Sequence, residues 1–264
     1  LDFFKRSIAD TSTAFDDFRT KVRMVGEGLG LAYNETVKLA QGFAKASGES
    51  NIGNITKSVR EAIDAGRSYG LDPAITANIH GRMQFAGVTG KGGQMDEREL
   101  AMIFAEAIGR GGMWSKSDEV MGAIARWVES SERIMVRPPN VAAYAEMQAS
   151  MNASGLPGLR GGAGEAMLAA LDAGIRNPGA GEAGQFASYQ ALSAGRPYMN
   201  VFKAQRLREG GLFASPKSMG MGDDTETNWS LISKYIERQS SDEDIQDASA
   251  VGLLGITMAQ SKAL

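Results

Sequence analysis

The feature that most constrains this chain is an internal echo. Residues 109–130, GRGGMWSKSDEVMGAIARWVES, return in looser form over residues 209–238. Met121, Ile124, Trp127, Val128 and Glu129 meet Trp229, Ile232, Tyr235, Ile236 and Glu237, each pair 108 positions apart. Further upstream, Ile63-Asp64-Ala65-Gly66 meets Leu171-Asp172-Ala173-Gly174, and Ala86-Gly87 meets Ala194-Gly195, at the same offset. Ala46-Ser47-Gly48 meets Ala153-Ser154-Gly155 one residue out of step, and a loop deletion followed by a loop insertion accounts for a local drop of the offset to 99. Self-similarity at a fixed period implies a repeated structural element.

The expected fold is all-α, with two tandem helical-bundle units of about 108 residues behind an amphipathic, coiled-coil-like helix. Residues 1–30 form that helix, 31–138 the first unit, 139–240 the second, and 241–264 a helical segment that begins a further unit. No window alternates with period two through β-branched residues, so no sheet is expected. The boundary between units is placed at Arg137-Pro138-Pro139, a rigid non-helical joint.

Along residues 1–25, Leu1, Phe4, Ile8, Thr11, Phe15, Phe18, Val22 and Val25 recur every three or four positions. That spacing draws one stripe, either a short coiled-coil seam or the docking face of a single helix. Gly26, Gly28 and Gly30 are expected to break it, at about 1 kcal/mol per interior glycine. In the first unit Asn34 is expected to cap one helix to Ala46, a second follows to Tyr69, and Asp72-Pro73 starts a third. Asp96 with Glu99 reads as a capping box before Leu100, Ile103, Phe104, Ala107 and Ile108, and Ser117, repeated as Thr225, caps the next helix. Second-unit helices are expected near 141–153, 163–175, 182–194, 197–208 and 226–239.

Composition removes several classes of chemistry. With no cysteine and one histidine, His80, neither a thiolate metal site nor a multi-histidine centre fits within one chain. A net charge of −3 with scattered Lys and Arg offers no basic stripe for a nucleic-acid backbone, and no sequence-specific nucleic acid is expected as a partner. No apolar run reaches the roughly 18 residues of a membrane-spanning helix. The chain opens on Leu1 and reads as cut from something longer.

Candidate catalytic fragments fail on context, and no catalytic, cofactor-binding or metal-binding residue is assigned. Ala32-Tyr33-Asn34, Met83-Gln84 and Glu129-Ser130 resemble pieces of lytic transglycosylases, but run in the reverse order. Glu129 reads instead as an exposed helix carboxylate, since a general acid needs a desolvating cleft. Gly87-Val88-Thr89-Gly90-Lys91-Gly92-Gly93 resembles a phosphate-binding loop, yet Gly92 stands where a hydroxyl is required and no strand precedes it. Asp223-Asp224-Thr225-Glu226 and Asp242-Glu243-Asp244 lack the alternation and glycine of a calcium loop and suit solvated helix N-termini. His80, with no acid in sequence reach, reads as a surface or half-buried residue. Met102, Met121, Met147, Met167 and Met258 read mostly as core fillers, with an adaptable partner-binding face as the other reading.

The cysteine-free texture, rich in Ala, Gly and Met, and stretches such as residues 35–48, ETVKLAQGFAKASG, resemble the tape measure proteins of long-tailed bacteriophages. The likeness is to a folded segment downstream of their long helical region. It implies a structural virion protein that sets tail length, lies inside the tail tube near the tip complex, and leaves ahead of the genome. Tail tube and tip or baseplate hub proteins are the implied partners, and residues 1–25 would join copies as a trimer about the tube axis. The membrane-spanning segments of many members are missing here, so a pore-forming role would belong elsewhere in the full chain. A helical adaptor that binds another protein through an apolar groove is the alternative, and a peptidoglycan-degrading enzyme the third reading.

Overall fold

A computed structural model describes residues 12–177, 181–194, 196–239 and 246. Among these, eleven α-helices and two short 3-10 turns make up the ordered elements and no strand occurs. Contacts divide the chain into two compact units, one holding residues up to Gly109 with Met113–Glu129, the other Arg110–Gly112 with residues from Ser130 on. The division falls ahead of Arg137-Pro138-Pro139. That joint belongs to the second unit because the Val136 and Arg137 N–H groups both donate to the Ser218 carbonyl, at 3.0 Å each.

The first unit contains α1 (Ser12–Leu29), α2 (Tyr33–Ser47), α3 (Ile52–Ser68), α4 (Pro73–Phe85), α5 (Glu97–Arg110) and most of α6 (Ser117–Glu132). Its core gathers Phe18, Val22, Val25 and Leu29 of α1 with Val37, Leu39 and Phe43 of α2 and Ile55, Val59 and Ile63 of α3. The described part of the α1 stripe therefore faces its own unit, docked on α2 and α3. Leu1, Phe4, Ile8 and Thr11, and the side chain of Phe15, lie outside the described residues.

Two local expectations are corrected here. Helix α1 runs through Gly26 and Gly28 and ends only at Gly30 (φ 63°). A Cβ at Gly26 would lie 2.6 Å from the Thr36 hydroxyl, so this glycine allows a close approach to α2 that outweighs its poor helix propensity. Helix α2 starts one residue before Asn34, on Ala32, with no side-chain cap, and closes on left-handed Gly48. The Asp72-Pro73 start acts as read. Asp72 accepts from Ala74 and Ile75 N–H at 2.8 and 3.0 Å, and Asn51, not singled out from the sequence, accepts from Asn54 N–H at 3.1 Å.

The second unit contains α7 (Val141–Ala153), α8 (Gly162–Arg176), α9 (Gly181–Ser193), α10 (Val201–Glu209) and α11 (Asn228–Gln239). Helix α10 begins later than its pattern suggests, because residues 196–199 form a turn and Asn200 caps the helix by accepting from Lys203 N–H at 2.9 Å. At the start of α11 the capping hydroxyl is Thr227, which accepts from Ser230 N–H, and not Thr225. The acidic turn 242–247, apart from Gln246, and the final run 248–264 lie outside the described residues.

Helix boundaries follow the 108-residue offset closely: α2, α3, α4 and α6 displaced by that number fall on α7, α8, α9 and α11. The packing does not follow it. Helices α2 and α4 form the most intimate pair of the first unit, whereas α7 and α9 make no comparable contact among the described residues. The cause is visible at one position. A Cβ at Gly81 of α4 would sit 2.8 Å from both Ala46 Cβ and the Phe43 carbonyl oxygen of α2. Its counterpart 108 residues on is Tyr189, whose ring forbids such a crossing.

Candidate functional site

The loop joining α4 to α5 builds a polar hollow in the first unit. Val88 and Thr89 are buried beneath it, and the Val88 carbonyl accepts from Gln94 and Met95 N–H at 2.8 and 3.2 Å. The wrap is so tight that a Cβ at Gly93 would lie 2.6 Å from the Thr89 carbonyl carbon. A helix leads into this loop, as the lack of a strand signal implies, so the phosphate-loop context is missing. Asp96 then caps α5 by accepting from Glu99 N–H at 2.7 Å, which turns Glu97 inward.

There Glu97 meets His80. The His80 ring is 0% exposed and its Nδ1 lies 2.5 Å from Glu97 Oε2, while Glu97 is 4% exposed. Phe104 stands edge-on to the imidazole, 5.8 Å between centroids. The reading of His80 as a partnerless surface or half-buried residue is overturned. The signal for its acid was present: Glu97 precedes Leu100 by three, Ala101 by four and Phe104 by seven, which sets it on the buried stripe of α5. Glu97 Oε1, His80 Nε2, Gln84 Oε1 and Thr89 Oγ1 are buried without a hydrogen-bond partner.

Glu97 and Gln84 line a cavity of about 730 Å3 whose rim carries Glu49, Glu61, Asp96, Glu99, Lys57 and Lys91. Glu49 is held ionised. The Asn51 N–H bond, the largest influence, with Asn54 and Ser50, lowers its pKa against the effect of burial.

In the second unit a cavity of about 430 Å3 is lined by Met147 and Met151 of α7, Leu159, Phe213, and Trp229 of α11, with Ser150 at its wall. Phe213 is set by an edge-on contact with Tyr144, 5.4 Å between centroids. The loop that presents it is pinned from three sides. Asp172 accepts from Leu212 N–H at 2.7 Å; Asn228 Nδ2 donates to the Leu207 and Gly211 carbonyls at 2.8 and 2.7 Å. Buried Arg196 donates to Asp224 at 2.6 Å and to the Glu226 carbonyl at 3.2 Å. Such long-range side-chain bonds leave no periodic trace in sequence.

Three of the acids singled out from the sequence, Glu129, Asp224 and Glu226, are paired. Both Glu129 oxygens receive N–H groups of Arg82, one at 2.6 Å, so Glu129 is an ion-paired, partly exposed carboxylate between α4 and α6. At the equivalent helix pair of the second unit, Tyr235 donates to Gln190, the residue 108 positions after Arg82, at 3.1 Å. Asp224 and Glu226 are not simply solvated. Burial would raise the Asp224 pKa, but bonds from Arg196, Glu226 N–H and Tyr198 outweigh it and hold the carboxyl below 3.8. A bond from Lys234 holds Glu226 below 4.5, again against burial.

Among the described residues no three His, Asp or Glu side chains converge as metal ligands, and no helix is long and apolar enough to cross a membrane. Met121 and Met167 are core residues, Met102 is 48% exposed, and Met258 lies outside the described residues. No known family, curated protein or solved structure matches this chain.

Proposed function

We propose that this chain is a structural component, specifically a folded segment of a tail tape measure protein that sits inside the tail tube of a long-tailed phage. The observation that carries the reading is the shared helix register of the two units, with α4–α6 and α9–α11 each joined by a side-chain bond, from Arg82 to Glu129 and from Tyr235 to Gln190. Evolving a building part by duplication preserves helix lengths and leaves surface chemistry free to change. The candidate acid of the first unit supports the same reading, since Arg82 engages it and no closed hollow surrounds it. Docking of Phe18, Val22 and Val25 leaves the residues ahead of Ser12 to join copies about the tube axis.

The test is location. Antibodies against residues 31–240 should label purified tails of the encoding virus from within, with the epitope released on genome ejection. Tails that lack the protein would refute the proposal. In a gel overlay of purified cell wall the chain should leave no cleared zone; clearing that Glu129→Gln abolishes would establish the enzyme instead.

The adaptor reading is favoured by one observation, the apolar groove of the second unit, together with exposed Phe186, Val201 and Phe202. Exposed apolar surface of this kind commonly marks a protein contact. Capture of tip proteins by a Trp229→Ala chain as well as by wild type would remove the groove from consideration.

A further inference from the structure

We infer that the polar cavity of the first unit is a binding site for alkylammonium groups spaced along a chain. This goes beyond the structural role and does not depend on it. The inference starts from an energetic anomaly. Glu97 is 4% exposed, bonded through Oε2 to His80, and its Oε1 has no partner; Gln84 Oε1, on the same cavity wall, has none either. A buried polar atom left unpaired costs about 1–3 kcal/mol, and more on a charged group. Of the unpaired buried atoms, these two belong to residues that line the cavity and both are acceptors, so a donor that enters the cavity would satisfy them.

Charge narrows the donor. Glu49, Glu61, Asp96, Glu97 and Glu99 face Lys57 and Lys91 around the cavity, an excess of three negative charges. That excess rejects phosphates and carboxylates, and a neutral polyol would leave it uncompensated. A bare divalent ion needs several oxygens converging on one point, and among the described residues no three acidic or imidazole ligands do so. Volume points the same way, since about 730 Å3 lies within the ~300–1,000 Å3 of organic ligand sites. The acids are also distributed, Glu49 and Glu61 on the α3 side, Asp96 and Glu99 on the α5 side, and Glu97 at the floor. Several protonated amines along a flexible chain match that layout, either a free polyamine or lysine side chains of a polypeptide.

His80 makes the site observable, because it is the chain's single histidine and touches the floor carboxylate. Spermidine and tetralysine are titrated separately into the 15N-labelled full chain at constant ionic strength, following the His80 ring nitrogens. The expected result is a saturable shift with a Kd below about 1 mM, as multivalent charge pairing allows. Saturation by both ligands assigns the site to amines of either source, and by spermidine alone to a small polyamine. Glu97→Gln should weaken binding at least ~10-fold. In case that buried change unfolds the unit, the exposed pair Glu61→Gln/Glu99→Gln should weaken it about 3–10-fold with an unchanged helical spectrum, while Lys91→Glu tightens it. No shift at 10 mM of either ligand, a linear shift matched by sodium chloride, or rim variants that bind like wild type would each overturn the inference.

Discussion

Substituting alanine at Gly81 and at Gly42 makes the same chemical change in two helix interiors, and the structure gives the two opposite signs. At Gly42 in α2 a new Cβ meets nothing within 4 Å. Gly42→Ala therefore gains helix propensity alone, about 0.5–1 kcal/mol of added stability. At Gly81 the new Cβ lies 2.8 Å from Ala46 Cβ, 2.8 Å from the Phe43 carbonyl oxygen and 3.3 Å from Phe43 Cα. Two of those three atoms are backbone and cannot rotate aside. Relief requires α2 and α4 to move apart along their whole contact, and overpacking of this kind costs about 1–3 kcal/mol. Set against the propensity gain, Gly81→Ala should destabilise the first unit by about 1–2 kcal/mol, and since both variants share that gain they should differ by the overpacking alone, about 1–3 kcal/mol. Urea unfolding followed by tryptophan fluorescence in a Trp229→Phe background measures this, since Trp114 and Trp127 then report the first unit alone. Ala46→Gly added to Gly81→Ala should restore part of the loss, because it removes one of the clashing atoms. Equal effects at the two glycines, or a Gly81→Ala chain as stable as wild type, would refute the close crossing.

Phe18→Ala should cost the first unit about 3–4 kcal/mol, since the ring is 0% exposed, with no change in sedimentation; altered association without lost stability would show that the stripe serves another copy. The second unit should weaken on acidification. Depressed Asp224 and Glu226 carboxyls stabilise it fully above their ordinary values of 3.8 and 4.5, and this contribution is lost as pH falls through the lower folded values. Trp229 fluorescence in a Trp114→Phe/Trp127→Phe background, in urea at pH 6, 4 and 3, measures the loss, and Arg196→Met should flatten the curve; an unchanged slope would sever the link to Arg196. An apolar dye should quench Trp229 by entering the groove of Met147, Met151 and Phe213, and Ser150→Trp should block it; undiminished quenching in that variant would place the dye elsewhere.

Helices were legible wherever a local signal carried them. Asp72-Pro73 and the Asp96 cap name their starts through bonds within three residues, and Gly48 and Gly30 end theirs with positive φ. Gly26 is illegible to propensity because its use lies in another helix: a Cβ there would lie 2.6 Å from the Thr36 hydroxyl, so the contact requires that the side chain be absent. The His80–Glu97 pair is written in phase alone, as the acid sits in register with Leu100 and Phe104. By contrast, Asp172, Asn228 and Arg196 reach main-chain groups or acids 17 to 40 positions away, and no periodicity encodes such bonds.

Two units whose helices share lengths and spacing put the chain at risk while folding, because a helix of one half can dock in the place meant for one of the other. Gly81 and Tyr189 close that route. The groove on α2 admits a helix only where no side chain projects, so α9 cannot stand in for α4 on the nascent first half. A glycine in one unit and a tyrosine in the other thus also tell their helices apart as the chain collapses.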